Sequence, residues 1–458
     1  MDTTLILKKL ESGGPLFTAM PVVGEKRICG TESELAPSNK AWEPAAQFER
    51  LPLILQNGGE VYEDRGHIEY ASPECSNAAS LVAYYEAGKM FCWRAQLSEK
   101  LYCHNNDWRG NTFGAHENYF TRAPRKEWFQ LLPFLIARNI VCGVGWINDK
   151  GEFEISQRAK HITCAMSDCT TDHRAVINLR PEPLAEVKGW DRLHLICGDA
   201  TMSEVSTFLR IGMTSLVIEM LEMGALPHIQ YKSESAADDF KAVSRKTDNW
   251  HLAGVTKGPQ EGLEVLRLYL ERAKQLFSHR DEVTRTLLVI WQDTLNQLAS
   301  DPMKLWRRLD WVAKLLILIT FQDWEAGSTA EWLKSQDMEY HNLNPQEGLY
   351  HHLRQMGEVE RIVSDELIVH AAFEPPSDTR AYVRGKISQH LAAEGDYRSL
   401  CANGWDHLTV VDKICRGHDR YESDNCSYLS ERTDNPFETY ANLVEKIKNR
   451  LDGLKQGN

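Results

Sequence analysis

Val61-Tyr62-Glu63-Asp64-Arg65-Gly66-His67-Ile68-Glu69-Tyr70 is the stretch whose geometry organises the rest of the chain. With Arg65-Gly66 as a two-residue hairpin turn, glycine supplies the positive φ that such turns need. Asp64 then faces His67 across the ladder, and Tyr62 faces Glu69. Side chains two apart share one face of a strand. Tyr62, Asp64, His67 and Glu69 therefore crowd together on one side, with Val61 and Ile68 on the other. Four polar groups on an inward face suit a cation or a reacting group better than they suit a core. An exposed polar hairpin tip would carry the same residues, and Val61 and Ile68 fit either reading.

Upstream, Ile28-Cys29-Gly30-Thr31-Glu32-Ser33-Glu34-Leu35 repeats the theme. Glu32 and Glu34 are two apart, so a strand points both carboxylates to one side, where a divalent ion is the usual compensation for their repulsion. Downstream, Gly114-Ala115-His116-Glu117-Asn118-Tyr119 sets an imidazole and a carboxylate after the turn-rich Asn105–Gly110. His194 lies in the strand-like Arg192-Leu193-His194-Leu195-Ile196. A single histidine in an apolar strand is more often a satisfied core residue than a ligand.

The chain around these segments changes character along its length. Residues 1–26 are weakly patterned and read as a peripheral N-terminal extension. From Arg27 to about Ala200, short alternating runs such as Glu60–Tyr70, Phe153–Gln157 and His161–Met166 read as strands. A helix is expected over Ala78–Leu101, where Leu81, Val82, Tyr85 and Met90 recur at helical spacing. After Asp199, Thr201 and Glu204 form a candidate capping box. The stripe from Val205 to Leu221 then runs to Gly224, a helix stop. Three amphipathic helices follow within 260–320, among them Leu263–Phe277 and Val283–Leu298, and their stripes read as core-facing. Glu374-Pro375-Pro376 is a breaker. The polar stretch Arg416–Asn435 precedes a short helix, Phe437–Leu451. Strands followed by helices without regular alternation indicate α+β, not a doubly wound fold. The expected division is an extension (1–26), a large catalytic domain (27–385) and a small C-terminal domain (386–458).

Bulk properties narrow the function. At 458 residues the chain exceeds one simple core, and its 42% hydrophobic residues exclude disorder. Lys and Arg number 52 against 65 Asp and Glu, a net charge of −13 with no basic stretch, which argues against a nucleic-acid partner. The eleven cysteines form no CxxC pair and sit mostly in apolar stretches, as Cys92, Cys142 and Cys197 do, so buried reduced thiols are expected. Met1–Gly14 lacks the charged head and long apolar run of a signal peptide, and Leu315–Phe321 is far short of a membrane span. A cytoplasmic protein with no membrane partner is the expectation.

Taken together and in this order, several segments resemble the Pup ligase and depupylase family, a glutamine-synthetase-like branch of the carboxylate–amine ligases. They are Gly30–Glu34, Val61–Cys75, Asn105–Tyr119, Ile155-Ser156-Gln157-Arg158, Arg192–Leu216, Leu309–Lys314 and Pro375–Arg380. The resemblance covers roughly residues 27–445. It implies a large domain with a curved, mostly antiparallel sheet packed on helices. By position, Glu32, Glu34, Tyr62 and Glu69 match residues that surround magnesium ions and the phosphates of ATP. His116 and His194 match histidines of the same site, and Asp64 matches the catalytic aspartate. Arg380 matches an arginine near the phosphates and Trp405 the adenine-stacking tryptophan, while Arg158 and Arg180 fall on the substrate side.

The implied chemistry is coherent. A carboxylate is a poor electrophile until phosphorylation by ATP gives it a leaving group, and magnesium neutralises the phosphate charge. A carboxylate base then deprotonates an incoming lysine, inert while it is an ammonium. In this family the activated group is a side-chain carboxylate at the C-terminus of a small ubiquitin-like modifier, Pup, and the acceptors are lysine-bearing proteins. Ala71-Ser72-Pro73-Glu74-Cys75, Gly198-Asp199-Ala200 and the Tyr62-to-Glu69 spacing look like the depupylase branch. The short Leu35–Gln56 separation looks like the ligase branch. Pro181 and Leu184 replace an aspartate and a histidine of the family's pattern, so the expected partner is a Pup-like variant or another acidic tail altogether. Ligation is the expected direction, because carboxylate activation is shared by the wider superfamily. Hydrolysis or deamidation at the same site is the alternative, and a nucleotide-binding regulatory protein without catalysis is a third.

Overall fold

The computed structural model describes residues 3–37, 53–64, 67–95, 100–181, 187–324, 329–395, 398–403, 405–412 and 427–456. The Arg65-Gly66 turn, Leu184, Gly404 and most of the Leu35–Gln56 and Arg416–Asn435 stretches lie outside the described residues.

The strands are β1 (Cys29–Pro37), β2 (Leu53–Ile54), β3 (Glu60–Asp64), β4 (His67–Ala71), β5 (Leu101–Tyr102), β6 (Ala115–Thr121), β7 (Trp146–Ile147), β8 (Phe153–Glu154), β9 (Cys164–Ser167), β10 (Ala175–Asn178) and β11 (Asp191–Leu195). All but the separate hairpin β7–β8 join one nine-stranded sheet in the order β2-β3-β4-β1-β6-β11-β10-β9, with β5 beside β1. Only β9 and β10 pair in parallel, so the sheet is mostly antiparallel, as expected of this α+β chain. The period-2 pattern decides its two faces. In β1, Cys29, Thr31, Ser33 and Leu35 are buried, while Gly30, Glu32 and Glu34 between them are only half-buried.

Helices cover the buried face. Helix Ala78–Ala95 starts at Asn77, whose side chain accepts from the Ser80 N–H at 2.9 Å. It ends before Leu101, which joins β5 instead. Helix Glu204–Glu222 is buried on every side from Glu204 to Leu221, the mark of a central helix. Its N-cap is Ser203, accepting from Ser206 N at 3.2 Å, and not Thr201. The Glu204 carboxylate reaches away from the cap to Arg361 Nε at 2.6 Å and to the N–H groups of Ile362 and Val363. Gly224 follows at φ +62°, the left-handed stop the sequence indicates. Helices Gly262–Phe277, Glu282–Ser300 and Asp310–Trp324 complete the layer.

Three expectations need correction. The N-terminal segment is not peripheral: helix Thr3–Glu11 buries Ile6 and Leu10 in the main core, a gain of roughly 1.5–3 kcal/mol per side chain. Phe17 hydrogen-bonds along 362–364, from Phe17 N to Ile362 O at 2.8 Å and from Ser364 N to Phe17 O at 3.0 Å. Second, only Phe153–Glu154 and Cys164–Ser167 are strands within 153–167, because Ser156, Gln157 and Arg158 wrap the Asp199 carboxylate instead. Third, the last helix is Ala441–Gln456 and does not start at Phe437. Phe437 packs on Trp190 and Phe120, with ring centroids at 4.9 and 5.7 Å, and Tyr440 at φ +52° interrupts helical backbone.

A second core lies at the C-terminal end. The hairpin β12 (Gln230–Tyr231) and β13 (Val255–Lys257) stands apart from it, while β14 (Arg398–Asn403), β15 (His407–Asp412) and β16 (Ser427–Arg432) form an antiparallel sheet. Helices Ala381–Ala393 and Ala441–Gln456 pack there through Val383, Ile387, Leu391, Val444, Ile447 and Leu451, and Ile54 of β2 enters the same cluster. The two cores meet tightly at Gly58, whose φ is +79° and where a Cβ would stand 2.4 Å from Ala381 O. Among described cysteines none is paired, and burial lifts the thiols of Cys29, Cys92 and Cys142 to about 12. No helix among the described residues is long and apolar enough to cross a membrane.

Candidate active site

The sheet register assembles one polar face. Tyr62 pairs with Glu69 and Asp64 with His67, as the hairpin reading requires. Glu34 pairs with Glu69 on one side of β1, and Glu32 pairs with His116 on the other. His194 sits opposite Asn118. Glu117, next to His116 in sequence, points to the opposite face, where Arg138 meets it at 2.8 Å. The two glutamates of β1 thus each found a separate cluster.

Glu32 centres the first. His116 Nδ1 lies 3.3 Å from its Oε2, and His194 Nε2 lies 3.7 Å from the same oxygen. Asn118 Nδ2 donates to Oε1 at 3.1 Å, and Arg192 approaches that oxygen at 3.4 Å. Burial raises the Glu32 carboxyl, but the His116 bond and the charges of Arg192 and His194 outweigh it and hold the group far below the usual carboxylate range. Burial, then Arg192, pushes His194 well below its ordinary value, so the ring is neutral and able to act as a ligand. His194 Nε2 and Asn118 Oδ1 are buried without a hydrogen-bond partner.

The second cluster is all oxygen: ligand atoms of Glu34, Asp64 and Glu69 lie within 4.8 Å of one another. Burial, then the charges of Glu32, Glu34 and Asp64, drives the Glu69 carboxyl well above its ordinary value, against the Tyr62 hydroxyl that hydrogen-bonds to it. Burial and Glu69 in turn raise the Tyr62 phenol. Gly114 N donates to Glu34 Oε2 at 2.7 Å, and His67, edge-on to Phe113 at 4.7 Å, reaches Glu34 at 3.8 Å. Three crowded carboxylates with little compensation suit a hard divalent cation such as Mg²⁺, which prefers oxygen. The unpartnered His194 Nε2 and Asn118 Oδ1 leave ligand capacity on the Glu32 side too.

A pocket opens beside these clusters, and Glu32, Asn118, Arg192, Arg380, Trp405 and Pro436 are among the residues that line it. Glu32 borders both the pocket and the metal-type cluster. Arg380 Nε donates to Glu74 Oε1 at 2.5 Å. Burial raises the Glu74 carboxyl, but Arg384 and Arg380 together bring it down to about 2.

Of the expected residues, Glu32, Glu34, Tyr62, Asp64, Glu69, His116 and His194 share the polar face, and Arg380 with Trp405 lines the adjoining pocket. Arg158 does not present itself to that face. Only 2% exposed, it donates to Thr112 Oγ1 at 2.7 Å and to the carbonyls of Phe113 and Ile196 at 3.1 Å. It braces the loop that delivers Gly114 to Glu34. Arg180 is exposed at the end of β10, close enough to depress His194. The sequence reading passed over Asn118, Arg192, Glu74 and Arg384. Asn118 and Arg192 sit two residues from His116 and His194, so the same period-2 rule points to them. A further group, His104, Asp337 and His341, is fully buried. Lys314 Nζ fills it, at 2.6 Å from Asp337 Oδ1 and 2.7 Å from His341 Nε2, which leaves a structural ion pair rather than a second centre.

Comparison with known proteins agrees with this architecture. The family model "Pup-ligase protein" matches residues 26–409. The chain is 35% identical to the depupylase of Acidothermus cellulolyticus, across 78% of this chain and 74% of that protein. It is equally 35% identical to the Pup–protein ligase of Corynebacterium diphtheriae, across 78% of this chain and 80% of that one. The crystal structure of the complex between the prokaryotic ubiquitin-like protein Pup and its ligase PafA matches with a TM-score of 0.80 and 26% identity, over 93% of this chain and 92% of that chain. The ligase PafA in complex with ADP matches at a TM-score of 0.74 and 27% identity, over 88% and 90%. A shared fold along almost the whole length and a family match running from just before β1 into β15 lead to one conclusion: this chain belongs to the Pup-ligase family.

Proposed function

We propose that the protein is an ATP- and magnesium-dependent isopeptide ligase, which activates a side-chain carboxylate of a Pup-like modifier and joins it to a lysine of a target protein. The observation that carries this reading is the continuity of the site: Glu32 belongs both to the pocket that Trp405 lines and to the first of the two candidate metal clusters. A nucleotide in that pocket with its base on Trp405 would bring its phosphates to residues suited to Mg²⁺. Glu34, Glu69, Tyr62, Glu32, His116 and His194 would hold the metal, which when bound neutralises phosphate charge during transfer.

The chain's own groups do the rest. Arg192 adds positive charge beside Glu32, and Arg380 lines the same pocket with its charge shared with Glu74. Asp64, opposite His67 at the hairpin end, takes the proton from the lysine ammonium and frees the amine to attack. Arg180, exposed beside the face, is the group for the modifier's acidic end, while Arg158 acts on the substrate side only through the loop it braces. Hydrolysis of the same bond is the second reading, favoured by the equal identity to a depupylase and a ligase. Incubation with ATP, Mg²⁺, a Glu-ended modifier and a lysine-bearing target decides between them. Accumulating ADP and Glu–Lys isopeptides, read by mass spectrometry, is the expected result. Preformed conjugates that only disappear would overturn the ligase assignment.

A further inference from the structure

Glu74 lies three residues beyond β4, in a segment held against β1 by reciprocal 2.9 Å hydrogen bonds between Cys29 and Cys75. Its carboxylate takes two guanidinium groups, Arg380 at Oε1 and Arg384 at both oxygens. The two arginine side chains are 4% and 0% exposed, so these are not loose surface ion pairs. From here two arms run to one hairpin turn. Arg384 lies 4.6 Å from the ring centre of Trp405. Arg380 Nη1 donates to Thr433 O at 3.2 Å, while Thr433 donates from N to Asp406 O at 2.5 Å and from Oγ1 to Trp405 O at 3.4 Å. Ring and backbone of the turn between β14 and β15 are both tied to Glu74. Trp405 itself holds φ +62°, a conformation a bulky residue keeps only where its surroundings over-determine it.

We propose that Glu74, acting through Arg380 and Arg384, positions the Trp405 ring over the nucleotide pocket, and that Arg384 makes this ring selective for a purine base. The inference rests on the nucleotide-binding reading above. A cation over one π face draws electron density from the other. An indole polarised in this way stacks best with a large, electron-rich base, and a pyrimidine offers less stacked area. Because Glu74 follows the strand that carries Glu69, the tie also fixes the ring relative to the Glu34–Asp64–Glu69 cluster. A mere staple between the two cores would hold the fold together but would not discriminate among bases.

Titration of the full-length protein with ATP and with CTP, both with MgCl₂ and without modifier, tests this by calorimetry. Wild type is expected to favour ATP. Arg384→Met should cut that preference by about tenfold, whereas Arg384→Lys, which retains a cation, should keep it within about threefold. If circular dichroism shows Arg384→Met unfolded, Glu74→Gln is read instead, with an expected loss of ATP affinity of about fivefold; unchanged affinity overturns the proposal. A folded Arg384→Met with the wild-type ATP-to-CTP ratio overturns it as well, leaving the ligase reading untouched. Wild type that binds neither nucleotide removes the ligase reading, and this inference with it.

Discussion

Glu69→Gln keeps the side-chain volume and removes one charge from a trio whose ligand atoms lie within 4.8 Å of one another. At that separation, with an effective dielectric of about 20, two full charges repel by about 3.5 kcal/mol. Burial first, and then this repulsion, which proton uptake by Glu69 relieves, raise its folded-state pKa. A carboxyl raised in this way contributes stability that is fully present below its ordinary value of 4.5 and is lost as pH rises through the raised value. Metal-free protein should therefore lose stability as pH rises above the ordinary value of 4.5, and Glu69→Gln should remove most of that slope. Magnesium acts in the opposite sense. At about 100 times its dissociation constant it stabilises by about 2.7 kcal/mol. With about 2.1 cal/mol/K of unfolding entropy per residue, a chain of 458 residues should melt about 3 °C higher. Differential scanning calorimetry with EDTA and with MgCl₂, across that pH range, reads both effects. A Glu69→Gln protein that keeps the wild-type magnesium shift would refute the assignment of Glu69 to the metal. A flat metal-free pH profile for wild type would refute the electrostatic account.

Two further perturbations separate chemistry from scaffold. Asp64→Asn preserves shape and hydrogen bonding but not proton acceptance, so isopeptide turnover should fall by about 10²-fold or more while calorimetric ATP affinity stays within about threefold; near-normal turnover would make Asp64 a structural hairpin residue. Lys314→Met strands Asp337 in the dry interior and should cost about 3–5 kcal/mol in guanidinium denaturation, with most of the loss recovered in Lys314→Met/Asp337→Leu; a single variant within about 1 kcal/mol of wild type would contradict the buried pairing.

Local periodicity made the pieces of the site readable. The alternation placed Glu32 with Glu34 on one side of β1 and Tyr62, Asp64 and Glu69 on one side of the β3–β4 hairpin, and the observed registers Tyr62–Glu69 and Asp64–His67 are those of a two-residue turn. Which strands become neighbours is not a local property. That β1 lies between β4 and β6, so that Glu32 faces His116, depends on pairing across about 80 residues, and no window of sequence carries that information. Burial by distant partners was equally hidden. Arg158 sits in a segment resembling the family's active-site motifs, yet its donors close on backbone carbonyls brought from residues 113 and 196. The helix at Thr3–Glu11 is short and marginal alone; it forms because Ile6 and Leu10 find a ready core. Thr201 and Ser203 both fit a cap by type, and the choice fell to Ser203, whose hydroxyl also donates to Arg308 O at 2.6 Å.

Placing Glu32 and Glu34 on a single strand has a consequence for how this site can change. The pleat acts as a fixed ruler, setting the founders of the two clusters two residues, roughly 7 Å, apart. Neither half can be shifted along the sheet without the other. Insertion or deletion of one residue at Ser33 would carry one of the pair through to the helix-covered side, where Thr31 and Leu35 now sit buried. Variation in this protein is thus confined to swapping side chains in place, or to remodelling what hangs from the strand ends. The catalytic spacing stays locked while the segments beyond the strand ends diverge.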